Sequence, residues 1–513
     1  VSQARAILVA GTTSNAGKSL VTAGICRWLH RKGVRVAPFK AQNMSNNSMV
    51  CGDGAEIGRA QWLQAVAAGV EPEAAMNPVL LKPGTDRRSH IVLRGRPHGE
   101  LRAGQYATGR AELAEAAHAS LAQLRQRYDV VVCEGAGSPT EINLRAGDYT
   151  NMGLARRANL PVIVVGDIDR GGVFAAMFGT LALLDADDQA LIAGWIVNKF
   201  RGDPALLQPG LRSLQDLTGR PVLGVLPWLT DLWLDAEDSL AAGWAGTCGA
   251  GARSGATTPV SFRVAVIRLP RMSNTTDLDA LATEPGVSVM LTADADVAAT
   301  ADLTILPGSR ATVEDLAWVR ERGIADAIVA RAAAGRPVLG ICGGYQMLAE
   351  CIHDPVESGR GTCPGLGLLP TTVEFHADKT LGRPRGAWRE HPVHGYEIHH
   401  GVATRSATTV ADIEPFLDGW RAGPVWGTTW HGTFDNDDFR RAWLTHIAAS
   451  TGLAWRPSPS APSFARQREQ MLDRLADAVE QHLDTTALWR LIEHGAPPGL
   501  PLLPPGAPAR PGF

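Results

Sequence analysis

The sequence predicts an α/β protein with two doubly wound, mostly parallel sheets, one in each half of the chain. Three observations carry this. Short apolar runs of strand length recur along the 513 residues and alternate with helical stretches, the pattern of strands joined by crossover helices. Many of these runs end in clusters of Gly, Asn, Asp, Ser or Lys, and open α/β sheets place their ligands at such strand ends. One aperiodic stretch rich in Gly, Ala, Ser and Thr, residues 241–259, interrupts the alternation as a linker would. The expected organisation is a first unit at 1–240, the linker, a second unit at 260–450, a helical extension at 451–494 and a Pro/Gly-rich tail at 495–513, read as disordered.

Composition narrows the function classes. The chain is too long for one core. Its 45% hydrophobic and 20% charged residues are ordinary for a soluble globular protein. A net charge of -3 without a basic block argues against nucleic acid, so an anionic substrate must be met by local charge. No apolar run approaches the length of a membrane span. The seven cysteines are scattered without metal spacing, which suggests a reducing compartment. The N-terminus runs straight into a strand with no secretory signal, so the expected location is cytoplasmic.

In the first unit, Ala6 to Ala10 reads as a buried strand, followed by Gly11-Thr-Thr-Ser-Asn-Ala-Gly-Lys-Ser19 and a helix from Leu20 to Arg31. Strand, glycine loop, Lys-Ser and helix make a phosphate-binding loop, although five residues instead of four lie between Gly11 and Gly17. Backbone N–H groups and the helix start hold phosphates, Lys18 neutralises the outer ones, and the Ser19 hydroxyl can ligate Mg²⁺. Gly11, Thr12, Asn15, Gly17, Lys18 and Ser19 are the candidate nucleotide-binding residues. The Tyr128 to Cys133 strand ends in Glu134, the second candidate ligand of Mg²⁺. Asp53 and Glu56 are further acids that could complete the shell; Glu56 is the candidate carried forward. The strand from Arg35 to Phe39 runs into a polar stretch from Lys40 to Ser48, which makes Lys40, Gln42 and Asn43 candidate substrate-binding residues. Asn198 and Lys199, at another strand end, are placed to hold a nucleotide base, and Arg170 a substrate carboxylate.

The second unit is organised around Arg336 to Met347, RPVLGICGGYQM: a short apolar strand, a thiol, then a helix. Small residues on both sides of Cys342 let the chain turn sharply and expose a nucleophile, as in the elbow of hydrolases. A helix start also favours a thiolate. His431, in Trp426-Gly-Thr-Thr-Trp-His-Gly-Thr-Phe434, is the candidate base. Cysteine and histidine far apart in sequence are normal for residues that meet only in the fold. The chemistry implied is acyl transfer, with Gly343 and Gly308, in the Leu306-Pro-Gly-Ser309 turn, as backbone donors to the oxyanion.

The glycine spacing of the first unit resembles dethiobiotin synthetase, and Gly340-Ile-Cys-Gly-Gly344 resembles class I glutamine amidotransferases. Joined in this order, with Phe39-Lys-Ala-Gln-Asn-Met-Ser-Asn-Asn47, Pro139-Thr-Glu-Ile-Asn143, Asp167-Ile-Asp-Arg-Gly-Gly-Val-Phe174, Asn198-Lys-Phe-Arg-Gly-Asp203 and Tyr396-Glu-Ile-His399, the chain resembles the cobyric acid synthase family. The resemblance implies amidation of the b, d, e and g carboxylates of adenosylcobyrinic acid a,c-diamide, driven by ATP with Mg²⁺ and by glutamine, in cobalamin biosynthesis. Glutamine and a corrinoid are the implied partners. The oligomeric state is left open, a homo-oligomer included. Ammonia released at Cys342 has to reach the ATP-dependent site without loss to water.

Two departures stand out. Class I enzymes carry a Glu two residues after the catalytic His, where this chain has Thr433, which leaves open what orients His431. The family's Gly-Ser-Lys-Asn-Thr turn is here Gly308-Ser-Arg-Ala-Thr312. The rivals are the a,c-diamide synthase sibling, a peptidoglycan-precursor amidotransferase and a partition-type P-loop ATPase. The last carries a signature Lys where this chain has Thr13, and has no use for Cys342 and His431.

Overall fold

The structure, a computed structural model, describes residues 5–84, 88–102, 110–230, 232, 248–249, 261–406 and 413–503. Apart from Cys248 and Gly249, the 241–259 stretch lies outside the described residues, as do 504–513 of the tail.

The first half is built on a six-stranded sheet in the order Val222–Pro227, Ile192–Phe200, Val162–Asp167, Arg5–Gly11, Val130–Glu134, Val36–Phe39. Every neighbouring pair is parallel. Parallel strands are covered on both faces, which is why they are unbroken apolar runs: Ile7, Leu8, Val9 and Ala10 are all fully buried, and they feed two separate cores. The Arg5–Gly11 strand lies between two strands reached by crossovers in opposite senses, so its carboxyl end opens on the switch point where such sheets bind ligands.

The second half carries an eight-stranded sheet. Its centre is parallel, in the order Val287–Thr292, Phe262–Ile267, Leu303–Leu306, Val338–Ile341, Val425–Thr428. Cys248–Gly249 on one edge and the Gly419–Ala422 and Glu414–Phe416 strands on the other are antiparallel.

Two smaller sheets contribute residues to the seam between the halves. One pairs Gln42–Met44, Val79–Pro83, Arg88–Leu93 and Arg96–Arg102; the other includes Thr371–Gly382 and Glu397–Arg405. Side-chain amides stitch the seam: the Ser48 N–H donates to Asn274 Oδ1 at 3.0 Å, and the Thr275 N–H to Asn47 Oδ1 at 3.1 Å.

The chain then returns to its start. Helix Phe464–His482 lies along helix Lys18–Arg31, and its Leu472, Leu475 and Val479 share a core with Ile7, Val9 and Ile25. Arg27 pairs with Glu469 and Asp473, Arg31 with Asp477, and Lys32 with Glu480. The C-terminal helices therefore complete the first half from beyond the second. The tail is a correction to expectation in its described part: Leu503 and Gln189 exchange hydrogen bonds of 2.8 and 3.1 Å, and the buried Arg220 guanidinium donates to the Pro501 carbonyl.

Candidate active site

Cys342 ends the Val338–Ile341 strand with φ 49° and ψ -111°, a conformation rare for any residue but glycine, and helix Gly343–Met347 begins at once. Strain of this kind persists only where the surroundings enforce it. The glycines show how. A Cβ on Gly344 would lie 2.0 Å from the Leu306 carbonyl oxygen, and one on Gly340 2.6 Å from the Tyr345 Cα. The helix thus presses directly on the neighbouring strands, and the thiol is held at the turn.

The next strand in the sheet, Val425–Thr428, runs parallel to the first with Ile341 opposite Thr428. Three residues on is His431, which brings imidazole and thiol together. His431 is buried; its ring stacks on Tyr396 at 5.3 Å, and the two residues exchange backbone hydrogen bonds of 2.8 and 3.0 Å. Nδ1 lies 2.7 Å from Asp277 Oδ2, and the other Asp277 oxygen accepts from the Gly432 N–H at 2.7 Å. Burial alone would lower the pKa of His431. The Asp277 carboxylate and then Cys342 outweigh it, and the value rises from 6.5 to about 10. With Nδ1 committed to Asp277, Nε2 is the nitrogen left for the thiol.

Asp277 is the residue that sequence reasoning missed. It sits in the 3-10 turn Thr275–Leu278, within a polar run that follows the first strand of the second sheet. That position, a polar cluster beyond a parallel strand, was its only signal.

The Gly308–Ser309 turn closes on the same point. A Cβ on Gly308 would lie 3.0 Å from His431 Cε1, and one on Gly343 2.8 Å from the Ser309 nitrogen. The Gly308–Ser309 turn therefore packs against both His431 and Gly343, the residue that follows Cys342. The pocket beside the thiol holds about 30 Å³ and is lined by residues that include Ser309, Lys379, His399 and, from the first half, Lys82.

In the first half, Gly17 caps helix Lys18–Arg31 at φ 94°, and a Cβ there would meet Asn198 Nδ2 at 2.2 Å. Asn198 donates to the Ala16 carbonyl at 2.9 Å, and Lys199 to that of Asn15 at 2.7 Å. Thr12 is tied by its N–H to Val165, and Lys18 donates to the carbonyls of Thr13 and Ser14 at 2.9 and 3.1 Å. The Ser19 hydroxyl donates to Glu134 at 2.8 Å. Glu134 is buried and also accepts from Lys40 at 3.0 Å and Gln64 at 2.6 Å. Burial pushes its pKa up, but the Lys40 charge and these hydrogen bonds hold it below the ordinary carboxylate value. A serine hydroxyl beside an ionised, buried carboxylate is a hard-oxygen pair that fits Mg²⁺.

Lys40, Gln42 and Asn43 line a cavity of about 740 Å³ together with Asn15, Lys18 and, from the second half, Met272. Gln42 accepts from the Tyr149 hydroxyl at 2.5 Å, and Asn43 donates to Gln61 at 2.9 Å. An apolar cavity of about 210 Å³ opens beside Asn198 and Lys199; its far wall is Leu475, Ala478 and Val479 of helix Phe464–His482.

Two expected residues are not brought to these sites. Glu56 does not join Ser19 and Glu134: its carboxylate is taken by Lys82 at 2.5 Å, Lys379 at 2.7 Å and Ser48 at 2.8 Å. Arg170 is exposed and is not among the residues lining the 740 Å³ cavity. Asp53, the other acid weighed, caps a turn by accepting from the Ala55 N–H at 2.9 Å.

Residues 7–240 match the family of CobQ/CobB/MinD/ParA nucleotide binding domains, and 263–439 match CobB/CobQ-like glutamine amidotransferase domains. The chain is 58% identical to the cobyric acid synthase of Cutibacterium acnes, over 95% of this chain and 99% of the relative. It is 60% identical to the cobyric acid synthase of Streptomyces avermitilis, over 98% and 99%. With both halves matched in order and likeness at this level along nearly the whole length, the chain belongs to the cobyric acid synthase family.

Proposed function

We propose that this protein amidates the b, d, e and g carboxylates of adenosylcobyrinic acid a,c-diamide, using ATP and the amide nitrogen of glutamine. The observation that carries the reading is the pairing of two sites in one chain: the Cys342–His431–Asp277 constellation and the phosphate loop with Glu134.

At the first site, the thiol proton passes to His431 Nε2 and the sulfur attacks the glutamine side-chain carbonyl. Asp277 holds the ring so that Nε2 faces the sulfur, and backbone N–H groups of Gly343 and the Gly308–Ser309 turn receive the oxyanion. His431 returns the proton to the departing nitrogen, which leaves as ammonia. Water then releases glutamate from the thioester, with the same imidazole as base. The raised pKa of His431, set by Asp277 and Cys342, favours the imidazolium that forms when the thiol gives up its proton, so the ring holds that proton until the nitrogen departs.

At the second site, a substrate carboxylate cannot lose hydroxide to ammonia, so it is first made an acyl phosphate by the terminal phosphoryl of ATP. Ammonia attacks the acyl carbon and phosphate leaves. Lys18 and the loop N–H groups hold the phosphates, and the apolar cavity beside Asn198 takes the base. Ser19 and Glu134 would hold Mg²⁺, which supplies neutralising charge when bound. Lys40, Gln42 and Asn43 line the substrate side. The test is direct: with the diamide, Mg-ATP and glutamine, mass spectrometry should show four amides added. Addition at the a and c positions of cobyrinic acid instead would favour the diamide synthase sibling.

A further inference from the structure

The two cavities lie back to back at the seam. Pro83 and Met272 line the 740 Å³ cavity, whereas their chain neighbours Lys82 and Ser273 line the pocket of Cys342. Successive residues of a strand point to opposite faces, and Lys82 and Pro83 end the Val79–Pro83 strand. One dipeptide from each half thus forms the partition. At this seam lies Glu56, with a fully buried carboxylate bridged by Lys82 from the first half and Lys379 from the second.

Three buried charges of this kind are costly apart. The desolvation of each is offset only when all are in contact, and removal of one leaves another uncompensated. The cluster therefore forms only when the halves are docked, and docking brings Lys82 into the wall of the Cys342 pocket. That pocket's 30 Å³ is room enough for a molecule the size of water or ammonia.

We propose that the Lys82–Glu56–Lys379 bridge is a positioning device that seals the partition, so that ammonia freed at Cys342 crosses between Lys82–Pro83 and Met272–Ser273 into the first-half cavity. This deepens the function proposed above and rests on it. A tie that only held the halves together would support both nitrogen sources alike. A seal matters only to nitrogen that starts at the thiol.

The experiment compares glutamate released with amide formed, in the full chain with Mg-ATP, the diamide and glutamine. The unsubstituted protein should run near parity. Lys82→Met, and the double variant Glu56→Gln/Lys82→Met that removes a complementary pair of charges, should raise the ratio roughly threefold or more while amidation from ammonium chloride continues. The double variant guards against misfolding from an unpaired buried carboxylate. An unchanged ratio in both variants overturns the proposal. So does a parallel loss of amidation from ammonium chloride, which would make the cluster a folding element only. If the unsubstituted protein forms no amide from either nitrogen source, the parent reading fails first and takes the bridge with it.

Discussion

Asp277 Oδ2 and His431 Nδ1 stand 2.7 Å apart although 154 residues separate them in the chain. The carboxylate does for this histidine what a Glu two residues further on does in class I enzymes, from another turn of the chain. Asp277→Asn keeps the shape but offers the ring an amide that can stabilise the wrong tautomer. Glutamine-dependent turnover should fall by roughly 10²–10⁴-fold. Amidation from ammonium chloride should persist, and glutamate release under steady-state conditions reads the difference.

Removing the thiol separates the two machines. Cys342→Ala should abolish glutamine use and spare amidation from free ammonia, while Lys18→Ala should remove both amidation activities. An equal loss with both nitrogen sources in the Cys342 variant counts against the assignment.

The raised pKa of His431 makes stability depend on pH. The folded-state value is about 10 against an ordinary 6.5, so the native protein binds the extra proton between these limits. The contribution is full below about pH 6.5 and is lost as pH rises through about 10. Denaturant midpoints should fall over that window, and Asp277→Asn should flatten the fall.

Gly344→Ala tests the turn that holds the thiol. The added methyl would sit 2.0 Å from a backbone oxygen that has nowhere to move. Overpacking of this kind costs about 1–3 kcal/mol or more. We expect lower thermal stability and loss of glutamine hydrolysis, followed by calorimetry and glutamate release.

The returning helix should matter to ATP. Ala478→Phe would intrude on the apolar cavity beside Asn198 and should raise the KM for ATP roughly tenfold, leaving glutamine hydrolysis in the absence of ATP unchanged.

The phosphate loop and the thiol elbow were legible because their geometry is local. Gly17 must reach positive φ within a strand–loop–helix, and Gly340 and Gly344 must let a helix start against its own sheet; neighbours in sequence decide both. The position of Glu134 beside Ser19 could be read for a related reason, since a residue at the tip of a parallel strand lies at the carboxyl edge of the sheet where the loop begins. Glu56 shows where this stops. From spacing alone it was as good an acid as any for a metal, yet two lysines, one of them 323 residues away, claim it.

Local patterns were enough for the two α/β halves, for the strand, glycine loop and helix that open the first, and for the sharp turn at Cys342, because strand patterns and turn glycines act over a few residues. It took contacts between distant segments to bring His431 to Cys342, to set Asp277 against His431, to place Glu56 between the halves and to line the first half's apolar cavity with a C-terminal helix. The reason is physical: a carboxylate or an apolar face has no fixed role until the folded chain chooses its partner, and charge and burial respond to distance in space rather than along the backbone.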